Sequence, residues 1–83
     1  MTSSSMHALS HYKTGQYIRI VRIDVPGVLR RRLLDLGFVP GAVIEVLQKS
    51  PLGDPVAYRV NQTTIALRKE ESDLIYGEQE EVH

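Results

Sequence analysis

The sequence predicts a small, mainly β domain: a closed or half-closed barrel of about five short strands, with one short helix after the first strand and a helical turn before the last. The chain has 83 residues, a length that allows one domain. Most of its apolar residues lie in short alternating segments separated by glycine, proline or asparagine, whereas one segment has helical spacing. Several short strands in so few residues favour a barrel, because a barrel hides sheet edges.

The first strand is predicted at Tyr17–Ile23. Ile18 and Ile20 alternate with Arg19, as one buried face requires. The apolar phase shifts at Val21, and a bulge or a strong bend would explain that shift.

A short helix is predicted at Val28–Leu36. Its apolar stripe at helical spacing consists of Val25, Leu29, Leu33 and Leu36. Gly37 follows directly and suits the left-handed position that ends helices. We therefore expect this stripe to face the barrel and the remaining residues to face solvent.

The rest of the barrel follows from alternating segments and turn residues. The later strands are predicted at Val43–Gln48, Val56–Val60, Thr63–Leu67 and Leu74–Tyr76. Asn61 and Gln62 form a tight turn, and the charged segment Arg68–Asp73 holds one helical turn. The predicted organisation is a flexible N-terminus at 1–8, the barrel at 9–76 and a flexible acidic C-terminus at 77–83.

Composition excludes several classes of protein. Lysine plus arginine equals aspartate plus glutamate, ten of each, and this neutrality argues against a nucleic-acid partner. No cysteine is present, so thiolate metal sites are excluded. No apolar run approaches the roughly 20 residues that span a bilayer, and no signal peptide is recognised. We expect a cytoplasmic protein without direct membrane insertion.

Catalysis and metal binding find little support. The three histidines, His7, His11 and His83, lie near the ends, and none accompanies a nucleophile in a motif. His7 and His11 are four residues apart, but no third ligand accompanies them in a convincing pattern. A run of carboxylates at Glu70–Asp73 is typical of a solvated face. We predict no catalytic residue, no metal ligand and no cofactor.

The outer face of the helix is one candidate binding surface. Arg30 and Arg31 are expected to point outward, and Leu34 falls about 140° from Leu29, away from the buried stripe. An exposed leucine beside two cations would suit an acidic partner. Single exposed leucines are also common in proteins without any binding role, and that interpretation stays open.

The loop Ser50–Pro55 is the second candidate surface. Its two prolines lower the entropy that is lost on binding. Leu52, Gly53 and Asp54 are the predicted partner-binding residues, with Leu52 at the tip. The alternative is a stiff hairpin connection whose leucine folds back on the barrel.

These segments together resemble the FeoA family of ferrous-iron-transport accessory proteins. The resemblance is carried, in order, by Arg31–Gly41, Ala42–Lys49, Ser50–Pro55 and Ile65–Glu71. It implies an SH3-like barrel, a cytosolic role in ferrous iron uptake, and FeoB, a membrane transporter with a GTPase domain, as partner. Similar domains occur at the C-terminus of DtxR-type repressors. The sequence departs from the family at Gln62, where glycine is common, so the hairpin there is expected to differ slightly.

The resemblance favours a non-enzymatic interaction module that binds or regulates an FeoB-type transporter. The family is described as binding transition metals, but no residue of this sequence is assigned as a ligand. The alternative is a stand-alone SH3-like adaptor or regulatory domain that docks another protein, related to the C-terminal domain of metal-dependent repressors. Nucleic-acid binding through Arg30–Arg32 is a weaker third possibility.

Overall fold

A computed structural model describes residues 6–81. Its elements, in chain order, are β1 (His7–Ala8), a 3₁₀ turn (Leu9–His11), β2 (Tyr17–Ile23), α1 (Gly27–Leu36), β3 (Val43–Lys49), β4 (Val56–Val60), β5 (Thr63–Leu67), α2 (Lys69–Ser72) and β6 (Ile75–Glu80). The mainly β class is confirmed, as are the helix after the first long strand and the helical turn before the last strand.

All strand pairs are antiparallel, and the strands lie in the order β1-β6-β2-β3-β4-β5. Six strands form this sheet, one more than expected, because the two residues of β1 pair with β6. No pairing joins β1 to β5 among residues 6–81, so the sheet is not closed into a barrel. Of the two forms that the sequence predicted, a closed or a half-closed barrel, the closed form is therefore not found among residues 6–81, and β1 and β5 are the edges of the sheet.

The core consists of the inward-facing residues of the sheet, with one residue from the helix and a few from the connections. Its members are Leu9, Ile18, Ile20, Ile23, Val25, Leu33, Phe38, Ile44, Val46, Tyr58, Val60, Leu67 and Ile75. Alternation along each strand brings these side chains to one face, as the period of two requires. Because the domain is small, each of these residues supplies a large share of the buried apolar surface.

The predicted irregularity in β2 is present. The register of β2 against β6 shifts between Ile20 and Arg22, and Val21 is exposed. The extra residue at this bulge lets Ile23 return to the buried face.

The last strand is longer than expected and includes part of the predicted tail. β6 continues to Glu80, where it pairs with Tyr17 of β2. Arg19 holds this extension through ion pairs of 2.8 Å to Glu78 and 3.2 Å to Glu80. The sheet thus extends beyond the expected 9–76 on both sides, and the remainder of the two predicted flexible ends, 1–5 and 82–83, lies outside the described residues.

Candidate protein-docking surface

Helix α1 is anchored to the core at its beginning and at its end. Val25, just before the helix, and Leu33 within it are buried. The helix ends at Gly37, which has a φ of 109°, and its N–H bonds back to the carbonyls of Leu33 and Leu34. A left-handed glycine at this position satisfies carbonyls that would otherwise lack a partner. These anchors determine which face of α1 is presented to solvent.

Three consecutive arginines, Arg30–Arg32, lie on that face and are exposed. They form no ion pair with a carboxylate within residues 6–81. α1 also has no acidic residue in its first turn and no side-chain hydrogen bond at its N-terminal end. The arginines of α1 therefore have no carboxylate in ion-pair contact inside the described domain.

The arginines of the strands behave differently. Arg19 contacts Glu78 and Glu80, Arg22 contacts Asp24 at 3.1 Å, and Arg59 contacts Glu45 at 2.6 Å. Within residues 6–81, every arginine in a strand thus has a carboxylate partner, whereas none of those on α1 does. This contrast distinguishes the helix face from the outer face of the sheet.

Leu34 is not the exposed leucine that the sequence predicted. It is partly buried and contacts the core, as does Leu29, whereas Leu36 is not among the residues that contact it. The buried face of α1 is therefore rotated toward Leu34. The prediction was wrong because a narrow stripe was assumed, while a helix on a sheet commonly buries an arc of about 100° or more.

The structure does place Leu34 beside Arg30 and Arg31, as the sequence predicted. Gly27, Arg30, Arg31, Leu34 and Asp35 line one surface depression on α1. A neighbouring depression is lined by Gly27, Val28, Arg31, Arg32 and Asp35. Each depression combines an apolar side chain with arginines: Leu34 lines the first, and Val28, which is 81% exposed, lines the second. We refer to residues 27–35 with these two depressions as the α1 surface.

Leu52 is exposed, as one of the two interpretations of its loop required. Its exposed fraction is 93%, so it does not fold back on the sheet. The loop is closed by hydrogen bonds from the N–H of Gly53 to the carbonyl of Ser50 (2.8 Å) and from the N–H of Ser50 to the carbonyl of Pro55 (3.0 Å). The Ser50 hydroxyl also donates to the carbonyl of Asp54 at 2.7 Å. A closed loop therefore presents an apolar tip.

Asp54 has a structural contact that the sequence did not suggest. Its Oδ1 accepts a hydrogen bond of 2.8 Å from the backbone N–H of Lys69, the first residue of α2. Neither depression of the α1 surface includes a residue of this loop. The predicted partner-binding residues thus form two separate features, one on α1 and one at the loop tip.

A polar cluster beneath α2 was also missed by sequence reasoning. Ser72 is buried, and its hydroxyl donates to the carbonyl of Lys69 at 3.2 Å. Burial raises the pKa of the Tyr58 hydroxyl, and a hydrogen bond with Ser72 partly offsets this effect. The Ser10 hydroxyl donates to Asp73, which ties the 3₁₀ turn to the end of α2. A serine within a charged segment carries no sequence signal for burial, because burial depends on what packs over it.

The histidines do not assemble a metal site within residues 6–81. His7 and His11 are both exposed, with ring centroids 6.0 Å apart. No group of three or more histidine, aspartate or glutamate side chains in this part of the chain is arranged to hold a metal ion. His83 lies outside the described residues.

Neither helix among residues 6–81 has the length and apolar character that crossing a bilayer would require.

Comparison with known proteins identifies the family. The sequence matches the FeoA domain over residues 7–79. It is 45% identical over 67 residues to a Fe(2+) transport protein A/Fe(2+) transporter FeoB fusion protein of Porphyromonas gingivalis. This match covers 81% of the chain but spans only 8% of that relative.

Solved structures agree on the fold. The solution structure of iron(II) transport protein A from Clostridium thermocellum superposes with a TM-score of 0.79 at 44% identity, covering 87% of this chain and 44% of that one. FeoA of Stenotrophomonas maltophilia, described as an SH3 domain protein and solved with zinc, gives a TM-score of 0.73 at 29% identity over 88% and 94% of the two chains.

The distant likeness to repressors is also present. A manganese-dependent transcriptional repressor gives a TM-score of 0.79 at 15% identity, covering 95% of this chain and 44% of that one, which shows a shared fold alone. The SH3-like fold is thus confirmed. Because the FeoA domain accounts for nearly all of the described residues, the chain belongs to the FeoA family.

Proposed function

We propose that this chain is a non-enzymatic accessory protein of ferrous iron uptake that acts in the cytoplasm by binding an FeoB-type transporter. Membership of the FeoA family supports the link to iron uptake. The Porphyromonas gingivalis relative supports the choice of partner, because its name describes transport protein A and the transporter FeoB as one fusion protein. Two proteins that are fused in one species commonly act together when they are separate chains.

The observation that carries a binding role is the set of unpaired arginines on the α1 surface. Positive charge toward the beginning of a helix is disfavoured by the helix dipole, by about 0.3–1 kcal/mol for each charge. Arg30 lies in the first turns of α1, and no carboxylate within residues 6–81 compensates it. Since these arginines contribute no ion pair to the domain, their charge is available to carboxylates of a partner.

The apolar groups beside these arginines supply the second requirement of an interface. Binding energy concentrates in apolar and arginine side chains that lose water together. Val28 and the partly buried Leu34 border the depressions that Arg31 lines, and Leu52 offers a separate apolar contact. We therefore expect an acidic surface of the transporter's cytoplasmic part to cover the α1 surface, with Leu52 as an additional contact.

The test is a binding measurement between the purified chain and the purified soluble GTPase domain of the FeoB-type transporter from the same organism. Arg31→Glu is expected to weaken binding at least about tenfold at low salt and less at high salt, since screening already removes part of the attraction. Lys49→Glu is the matched control, because Lys49 is an exposed cation on β3, outside the α1 surface.

Binding that is equally weakened by both variants would count against the α1 surface. Absence of binding by the unmodified chain would count against this partner. Salt-dependent binding of the chain to DNA or RNA that is lost in Arg31→Glu would instead assign the α1 surface to nucleic acid.

A further inference from the structure

Strand β5 is an edge of the sheet. It pairs with β4 along its whole length, from Val60 opposite Thr63 to Val56 opposite Leu67. No strand within residues 6–81 covers its other side. An uncovered edge offers unpaired backbone N–H and C=O groups to any extended segment that approaches it.

The register identifies which groups of β5 point outward. Hydrogen-bonded and non-hydrogen-bonded pairs alternate along an antiparallel ladder. The two-residue turn makes Val60 and Thr63 a hydrogen-bonded pair, so Ile65 also bonds to β4, while the backbone groups of Thr64 and Ala66 point away from it. Both residues are exposed, and neither forms another backbone hydrogen bond within residues 6–81.

The β5 edge lacks the features that usually prevent pairing. Natural edge strands are commonly very short, charged, interrupted by proline or bulged. Residues Thr63–Leu67 include no charge and no proline, and their ladder has no register shift. By contrast, the opposite edge, β1, has only two residues. Inside the sheet, the ladders between β2 and β6 and between β3 and β4 both contain a register shift, whereas the ladder of β5 does not. β5 is therefore the regular, unprotected edge of this sheet.

We propose that β5 pairs with β5 of a second copy of this chain, antiparallel and centred on Ile65, to form a symmetric dimer. In this register Thr64 of each copy lies opposite Ala66 of the other. All outward backbone groups are then satisfied, because each of the two Thr64–Ala66 pairs exchanges two hydrogen bonds. One patch serves both copies, as a two-fold interface requires.

The side chains are compatible with the same register. Ile65 is partly buried against the core, and in the dimer it meets Ile65 of the other copy on the same face. The cationic residues after the strand, Arg68 and Lys69, come beside the neutral Gln62 and Asn61 of the other copy. A parallel arrangement would instead place these cations next to one another, so charge favours the antiparallel dimer.

The proposal is independent of the transporter and is tested with the full chain alone by sedimentation equilibrium over a wide range of concentration. The unmodified chain is expected to dimerise as its concentration rises. Thr64→Lys with Ala66→Lys places like charges opposite each other twice, whereas Thr64→Glu with Ala66→Lys places opposite charges there. The Lys/Lys variant is expected to have a dimer dissociation constant at least about tenfold above that of the Glu/Lys variant.

Two controls separate edge pairing from general effects. Gln48→Lys with Gln79→Lys adds the same charge at exposed positions of β3 and β6, and dimerisation is expected to persist. Circular dichroism checks that each variant is folded. Amide hydrogen exchange at Thr64 and Ala66 is expected to slow as the concentration of the unmodified chain rises, while exchange at Leu52 does not change.

A chain that stays monomeric at every concentration would overturn the proposal. So would a dimer that the Lys/Lys and Glu/Lys variants form equally well, because that dimer would use another surface.

Discussion

The carboxylate of Asp54 and the backbone N–H of Lys69 are joined by a hydrogen bond of 2.8 Å. This bond connects the loop before β4 to the first residue of α2, fifteen positions further along the chain. The first N–H groups of a helix have no partner within the helix, and an aspartate oxygen is a common acceptor for them. The same bond holds the loop that presents Leu52.

Replacement of Asp54 by alanine is expected to lower the free energy of unfolding by about 0.5–2 kcal/mol, the usual cost of losing a helix cap. Urea denaturation followed by circular dichroism measures the change. Asp35→Ala is the control, because the side chain of Asp35 is exposed and forms no ion pair or hydrogen bond within residues 6–81. The effect of this change on the free energy of unfolding should stay within about 0.5 kcal/mol. Equal effects of the two variants would contradict the capping role of Asp54.

Asp73 is expected to make the free energy of unfolding vary with pH in the acidic range. The hydrogen bond from Ser10 and the contact with the Lys69 ammonium, 3.2 Å away, hold the pKa of Asp73 below its ordinary value. A depressed pKa contributes stability above the unfolded-state pKa, about 3.9, and the contribution is lost as pH falls through the folded-state value.

We therefore expect the unmodified chain to be more stable than Asp73→Asn at neutral pH, and this advantage to shrink below about pH 4. Urea denaturation of both proteins between neutral and acidic pH measures the difference. An advantage that persists unchanged at acidic pH would contradict the role of the Asp73 carboxylate.

For three apolar residues of α1, the loss in the free energy of unfolding on replacement by alanine is expected to follow their burial. Leu33 is fully buried, Leu34 is partly buried and Val28 is 81% exposed. Leu33→Ala should cost about 2–5 kcal/mol, as core truncations do. Leu34→Ala should cost less than Leu33→Ala. Val28→Ala should change the free energy of unfolding by no more than about 0.5 kcal/mol. A larger loss in the free energy of unfolding for Leu34→Ala than for Leu33→Ala would mean that Leu34, and not Leu33, is the main contact of α1 with the core.

Leu52→Ala is expected to leave the free energy of unfolding unchanged within about 0.5 kcal/mol, because the side chain is 93% exposed. If Leu52 contacts the transporter, the same variant should lose support of ferrous iron uptake in cells that lack the native protein. Gln48→Ala, another exposed change, is the control and should retain support. Full uptake with the folded Leu52→Ala protein would contradict a contact between this loop and the transporter. The α1 surface is tested separately, by the binding measurement with Arg31→Glu.

Local pattern was sufficient for features whose cause is local. The bounds of β2, β4 and β5 agree with the alternating segments, because a period of two is visible in the chain itself. Gly37 ends α1 and Asn61 adopts a φ of 57° in the turn before β5, as these residue types predict. The bulge in β2 was visible as a break in the same alternation.

The candidate site was only partly predictable. The sequence placed Arg30 and Arg31 on the exposed face of α1, since hydrophobic spacing is a local signal. It offered an exposed Leu52 as one of two interpretations of its loop, and the structure supports that one. It misplaced Leu34 because the width of the buried arc depends on the sheet beneath the helix. It did not reveal that the carboxylate of Asp54 accepts a hydrogen bond from the N–H of Lys69, because these residues are brought together only by the folded chain.

The class of the domain, its family pattern and most of its elements were thus predictable from the chain, because periodicity and turn chemistry act over a few residues. The continuation of β6 through Glu78 and Glu80 was not, because it depends on their ion pairs with Arg19 on β2. Nor did the chain indicate that β1 joins β6 or that β5 is an edge of the sheet. Such contacts join residues that are distant in the chain, so they depend on how the strands assemble and have no local signature.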